Sequence, residues 1–206
     1  MFQKKVTTEE ELRSIMGEPS ELVKRKVISY LDHHCQRLIS LSPFVVLATA
    51  DRFGYCDASP RGDMPGFVRV IDEKHLLIPE RPGNKRGDSL RNILSNPRIG
   101  LLFFIPGWKE TLRVNGKACL VRDDAWLEQM AVNKAKPLIA IGVEVEECFI
   151  HCAKALLRSK LWQPEAWPSL ENFPSAASIL HEHARLSDMD VAKIEERLQK
   201  SYTKLY

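Results

Sequence analysis

HLLIPERPGNKRGDSLRNILSNP, residues 75–97, spells out a strand, a glycine-rich basic turn and a short helix. HLLIP (75–79) is a short apolar run bounded by Pro and Gly, which favours a strand over a helix. GNKRGDS (83–89) then gathers Gly83, Asn84, Lys85, Arg86, Gly87, Asp88 and Ser89 into one turn. SLRNIL (89–94) has helical spacing at Leu90, Ile93 and Leu94, and NP (96–97) stops it. A helix N-terminus presents unpaired N–H groups and the positive end of the helix dipole. Lys85 and Arg86 add two cations beside it, and the combination suits a phosphate group. Gly, Asn and Asp are also ordinary turn residues, and adjacent Lys and Arg are an ordinary solvated surface, so the residues alone leave both readings open. A nucleoside-triphosphate loop is excluded by order: Lys85 and Arg86 precede Gly87, and Asp88 follows it. Asp88 is expected to be the N-cap of the helix. G-x-G-x-x-G is absent, so the dinucleotide fingerprint is excluded as well.

At 206 residues the chain suits a single domain with a sizeable core. The net charge of +3 is too small to point to nucleic acid. The longest apolar runs, FVVLATA (44–50) and IGLLFFI (99–105), fall well short of a membrane span of about 20 residues. MFQKKVTTEEE at the start has no apolar signal-peptide core, and a cytoplasmic location is expected. Five cysteines without a C-x-x-C pair argue for reduced thiols and against a structural zinc site. His33 and His34 are adjacent and His181 and His183 are two apart, spacings that do not share a metal on a helix, so no metal is expected.

Residues 7–40 read as helical. Thr8 with Glu11 makes a capping box, and a second helix from about Pro19 carries Leu22, Val27, Leu31, Cys35 and Leu38 as its apolar stripe. Residues 43–150 are strand-rich. FVVLATA (44–50) with YCDASPR (55–61), FVRVI (67–71) with HLLIP (75–79), and RIGLLFFI (98–105) with ETLRVNGKACLVR (110–122) read as three hairpins. Asp63, Pro65 and Gly66 interrupt the strand pattern before the second of these. A helix capped by Asp123 or Asp124 is expected to run to about Lys134, before a final strand LIAIGVEVEECFI (138–150). HCAKALLRSKLWQPEAW (151–167) is amphipathic, and a closing helix is expected from Ser187 with Val191, Ile194, Leu198 and Tyr202 on one face. Hairpins in series with helices at the joints predict an antiparallel barrel.

SPRG (59–62), GNKRGDSLRNILSNPRIGLLFF (83–104), ETLRVNGKA (110–118) and HCAKALLRSKLW (151–162) together resemble the FMN-binding split-barrel superfamily. The likeness is to its pyridoxamine 5′-phosphate oxidase-like branch and, within that, to a bacterial FMN-dependent group; it covers about residues 40–165. The resemblance implies a mainly β protein with flanking helices, built as an antiparallel six- or seven-stranded split β-barrel. It implies one domain over 1–206, with N-terminal helices in 1–42, the barrel core in 43–150 and a C-terminal segment in 151–206. It also implies a homodimer with FMN between the subunits.

By the same resemblance Asn84, Lys85, Arg86 and Ser89 hold the FMN phosphate, with Arg61 near it. Thr111 and Arg113 lie on the strand beside the ring and ribityl chain, and Lys154, Arg158, Ser159 and Trp162 approach from the partner subunit. The implied function is an FMN-dependent oxidoreductase passing a hydride through flavin N5 to or from a small-molecule substrate or electron donor, with no nucleic acid or membrane partner. A flavin carrier or redox sensor without turnover, and a haem- or deazaflavin-binding relative, are the alternatives. The chain ends SYTKLY and lacks the Arg-Leu-x-Pro-like tail of the true oxidases, so pyridoxamine 5′-phosphate is not the expected substrate.

Overall fold

The structure, a computed structural model, describes residues 1–206. Helix α1 (Glu9–Met16) opens where Thr8 Oγ1 accepts the Glu11 N–H at 3.2 Å. Only half of the capping box forms, because the Glu11 carboxylate turns to the Thr7 N–H at 3.3 Å. The single helix expected from Pro19 is two: α2 (Glu21–Arg25) and α3 (His33–Leu41). The break has a backbone cause. Ile28 exchanges two hydrogen bonds with Cys148, of 3.0 and 2.6 Å, so the linking segment adds to the sheet. Asp32 then caps α3 by accepting the Cys35 N–H at 2.8 Å. Leu31, Cys35, Leu38 and Ile39 enter the core, while Leu22 and Val27 stay exposed.

Seven strands form one antiparallel sheet: β1 (Phe44–Ala50), β2 (Cys56–Gly62), β3 (Arg69–Val70), β4 (His75–Pro79), β5 (Arg98–Phe104), β6 (Thr111–Val121) and β7 (Ala140–His151). Their order is β2-β1-β5-β6-β7-β4-β3. The hairpins predicted from sequence all form. Alternation sends Val45 and Leu47 of β1, and Ile99, Leu101 and Phe103 of β5, to one buried face. These join Leu76, Ile78, Leu112, Val114, Ile141 and the α3 residues in one core. Each fully buried side chain of this size contributes about 1.5–3 kcal/mol. Cys35 and Cys148 meet there at 3.4 Å between sulfurs; that contact, with burial, pushes the Cys35 thiol well up, so Cys35 is a protonated part of the packing.

The outer face of the same strands is unusual. Phe44 pairs with Phe104, Val46 with Leu102 and Ala48 with Gly100, an apolar strip where an exposed sheet face is normally polar. On the neighbouring strand β2 the strip continues into Ala58, Pro60 and Gly62.

The edge strands β2 and β3 do not pair, so the barrel is split. Helix α4 (Asp88–Ser95) packs against β1, β2 and β6 and buries Ser89 and Ile93, whereas Leu94 is exposed. Helix α5 (Asp124–Gln129), capped by Asp123, ends earlier than expected, since Asn133 and Lys134 adopt left-handed backbone. Helices α6 (Lys154–Ser159), α7 (Ala176–Ala184) and α8 (Val191–Tyr202) follow β7. Helix α8 starts at Asp190, not Ser187, because the Asp190 carboxylate accepts the Lys193 N–H at 2.9 Å. Helices α7 and α8 pack on each other, with Ala177 and Ile194 buried. No helix is long and apolar enough to cross a membrane.

Candidate functional site

The split in the barrel opens into a groove of about 680 Å³. One wall is the end of β2, Ser59 to Gly62. The other is the connection from β4 to α4, Pro79 to Leu90, with 135–139 and Tyr206 closing the side. Of the expected site residues, Arg61, Asn84, Lys85, Arg86 and Ser89 all line this groove.

The turn is built by its own side chains. Asn84 Oδ1 accepts the Arg86 N–H at 3.0 Å, which bends the backbone. Ser89 Oγ donates to Asp57 Oδ2 at 2.7 Å, and Ser59 Oγ donates to the same oxygen at 2.9 Å, tying α4 to β2. The helix N-cap is Gly87, at φ 64°, and not Asp88. Gly has no side chain to cap with, and the N–H groups of Asp88, Ser89 and Leu90 have no partner in the protein. Asp88, one residue inside the helix, instead accepts from Arg86 Nε at 2.7 Å and raises the pKa of that guanidinium.

Five cations line the groove: Arg61, Arg81, Lys85, Arg86 and Lys136. Four are held by carboxylates. Arg61 pairs with Glu80 at 3.1 Å and Arg81 with Asp63 at 2.7 Å, two bridges that span the split. Arg86 pairs with Asp88, and Lys136 with Asp124 and Glu128. Lys85 has no carboxylate partner. It also sits at φ 63°, a conformation that costs a residue with a side chain about 1–2 kcal/mol. A cation without a carboxylate partner, on the same turn as open helix amides, is an arrangement that can receive an anion.

The remaining expected residues lie elsewhere in the chain. Thr111 is buried at the start of β6, opposite His151. Arg113 lies on the outer face with its guanidinium 5.5 Å from the Phe149 ring. Ser159 Oγ donates to the Leu156 carbonyl within α6, which also carries Lys154 and Arg158. Trp162 Nε1 donates to the Trp108 carbonyl at 2.8 Å. None of the six lines the groove of its own chain.

Sequence reasoning missed Asp57, Asp63, Glu80, Arg81 and Tyr206. Glu80 and Arg81 sit inside the quoted PERPG stretch and were legible as charges beside the turn. Tyr206 carried no local signal. The SYTKLY tail returns to the groove through Tyr206. Tyr206 Oη donates to Asp63 Oδ1 at 2.6 Å, and its ring lies 5.5 Å from the Arg81 guanidinium. Burial alone pushes Asp63 up, but the Tyr206 hydroxyl, the Met64 N–H and Arg81 together hold it below the usual carboxylate value. A carboxyl depressed in the folded state stabilises the fold above its unfolded pKa, and the contribution is lost as pH falls through the folded value. Tyr206→Phe is therefore expected to cost about 0.5–1.5 kcal/mol at pH 7. Urea denaturation at pH 7 and pH 3 checks it: the deficit should shrink at pH 3, and a deficit equal at both would remove Asp63 from the explanation.

Residues 31–152, more than half of the chain, match the pyridoxamine 5′-phosphate oxidase family. No curated protein matches. Among solved structures, HupZ of Group A Streptococcus is 22% identical, with 58% of this chain and 92% of that chain covered and a TM-score of 0.47. A putative pyridoxamine 5′-phosphate oxidase from Lactobacillus delbrueckii is 23% identical, covering 59% and 95%, at a TM-score of 0.47. An FMN-binding protein from Syntrophomonas wolfei is 13% identical, covering 68% and 92%, at a TM-score of 0.44.

Proposed function

Because the chain belongs to the pyridoxamine 5′-phosphate oxidase family, we propose that it is an FMN-dependent oxidoreductase whose cofactor phosphate rests on the turn at 84–89. The observation that carries this reading is Lys85, strained and without a carboxylate partner, beside the three open amides of α4. That donor set fits a phosphate dianion: one free ammonium, backbone N–H groups and the positive end of the helix. Arg61 and Arg86 stand at the same place, each already bound to a carboxylate, so they orient the turn more than they supply free charge. Phe67, Leu90 and Ile139, with the exposed Leu138 at the side, give the groove an apolar section against which a planar ring can lie. A flavin, when bound, supplies two-electron redox chemistry that no side chain of this groove provides. None of the six histidines lines the groove, which disfavours a haem held there by an imidazole.

Titrating FMN and riboflavin against the protein and its Lys85→Gly variant tests the reading. Charge-assisted contacts to phosphate are worth about 1.5–3 kcal/mol, so FMN affinity should fall about ten- to hundredfold while riboflavin affinity stays within about twofold. Gly also relieves the left-handed strain, so the variant should melt no lower than the parent. Equal losses for the two ligands would place Lys85 away from the phosphate. Flavin reduction by a nicotinamide donor then separates an enzyme from a carrier, which would bind FMN and not be reduced.

We further propose a homodimer formed through the apolar outer face of β1 and β5. Its edge at Pro60 and Gly62 is also the groove wall. A second copy seated there would bring its own side chains toward the cofactor.

A further inference from the structure

Of the five cysteines, Cys56, Cys119 and Cys152 are exposed, and Cys35 and Cys148 are buried. The main core counts 21 buried residues, and only these two among them are cysteines. They touch each other. Cys35 stands in the first turn of α3 and Cys148 near the end of β7, and their sulfurs lie 3.4 Å apart, which leaves no room for an intervening atom. Both carriers are held in place. Cys148 lies opposite Val114 of β6 on one side and exchanges two hydrogen bonds with Ile28 on the other. The Asp32 carboxylate fixes the Cys35 N–H at 2.8 Å. We propose that Cys35 and Cys148 form a reversible redox site, which a small disulfide oxidises to an intramolecular bridge and an excess of thiol reopens.

A free cysteine is also an ordinary small hydrophobe of a core, and packing alone places such a residue anywhere in it. Two sulfurs in contact from elements 113 residues apart in the chain are a narrower arrangement. A disulfide bond is about 2.05 Å long, so closing this pair takes a movement of about 1.4 Å, shared between two side chains and a short helix. The bridge encloses β1 to β6 and most of β7 in one covalent loop, with α1 and α2 before it and α6 to α8 after it. A cross-link over so long a loop removes much freedom from the unfolded chain. The exchange balances with one co-reactant. The first cysteine sulfur attacks the small disulfide, forms a mixed disulfide and releases one small thiol. The second attacks the sulfur of the first, forms the Cys35–Cys148 bond and releases the other small thiol. The protein gives up two electrons and both thiol protons, and the small disulfide takes them. Cys35 is 6% exposed against none for Cys148, so it makes the first attack when the start of α3 lifts from the sheet. Contact with Cys148, then burial, raises the Cys35 pKa, so thiolate is scarce and the exchange is slow. That governs the rate; the native geometry governs the equilibrium. Neither cysteine lines the groove, so this site stands apart from the flavin reading.

The test uses the full chain carrying Cys56→Ser, Cys119→Ser and Cys152→Ser, which removes only the exposed thiols. Bis(2-hydroxyethyl) disulfide, small and uncharged, and 2-mercaptoethanol set the redox poise. Equilibrium is approached from both sides, from the reduced native protein and from protein bridged in urea and refolded. Maleimide labelling after denaturation, read by mass spectrometry, counts the free thiols. Under an oxidising poise both routes should converge on a monomeric mass with no free thiol and no bound mercaptoethanol, and added thiol should restore both labels. The equilibrium constant for bridging should exceed its value in urea by about thirty- to thousandfold. By the same cycle the bridged protein should melt higher than the reduced one, by about 5–15 °C. A native protein that reopens the bridge made in urea under the oxidising poise would overturn the proposal. So would a mercaptoethanol adduct that persists on either cysteine, a covalent dimer, or a bridged protein that melts lower than the reduced one. Two routes that never converge would overturn it as well, because the pair would then be closed to exchange.

Discussion

Gly116→Ala is expected to destabilise the protein by more than about 3 kcal/mol, the upper end of what an overpacked site costs. Gly116 lies at the irregularity where β6 and β7 shift register, between Asn115 and Gly116. A Cβ there would stand 2.0 Å from the Glu144 carbonyl oxygen, 3.0 Å from its carbon and 3.3 Å from Val145 Cα. All three are backbone atoms of β7, so no rotamer change relieves the clash. The two longest strands would have to separate at the point where β4 also pairs with β7. Gly87→Ala is the control. It has φ 64° and no atom within 4 Å of the added carbon, so its cost should stay near about 1–2 kcal/mol from the left-handed backbone alone. Urea denaturation midpoints at pH 7 decide it, and a Gly116→Ala loss no larger than that of Gly87→Ala would show that the bulge opens easily.

The strands were readable because each has a signal of its own. FVVLATA and RIGLLFFI are short apolar runs with turn residues at both ends, and in the fold each buries every second side chain. The turn at 83–89 was readable for the same reason, since glycines and cations crowd into seven residues that the fold keeps local. The long-range arrangements were not. The stripe from Leu22 to Leu38 has helical spacing throughout, yet Ile28 leaves the helix because a strand partner 120 residues away offers it two hydrogen bonds. Nothing local in the sequence announces that competitor. Asp63, Arg81 and Tyr206 are likewise ordinary residues in their own neighbourhoods and become a cluster only once the split barrel brings them together. Asp88 was a reasonable cap by residue type, but Gly87 takes that place because only its left-handed backbone lets the chain enter the helix directly from the turn.

Leu102→Glu is expected to convert a dimer into a folded monomer. In one copy Leu102 points outward from β5, flanked by Val46 across the strand pair and by Phe44 and Phe104 along the same strip. A glutamate at that position meets water in the monomer, so the fold itself should lose less than about 1 kcal/mol. In a two-fold interface each copy brings the substitution, and two carboxylates are buried among apolar side chains without partners. Uncompensated buried charge costs several kcal/mol per group, enough to raise the dimer dissociation constant by about a thousandfold or more. Sedimentation at micromolar concentration should show dimer for the parent and monomer for the variant. A parent that is already monomeric would overturn the assignment, as would a variant that stays dimeric, since either leaves the apolar strip without the proposed occupant. The same pair of proteins tests the second set of expected ligands. Thr111, Arg113, Lys154, Arg158, Ser159 and Trp162 are absent from the groove of their own chain and reach a cofactor only from a second copy. If they complete the site, FMN affinity must fall with dimer loss even though the turn around Lys85 is untouched. A monomeric Leu102→Glu protein that binds FMN as tightly as the parent would confine the cofactor site to the single groove.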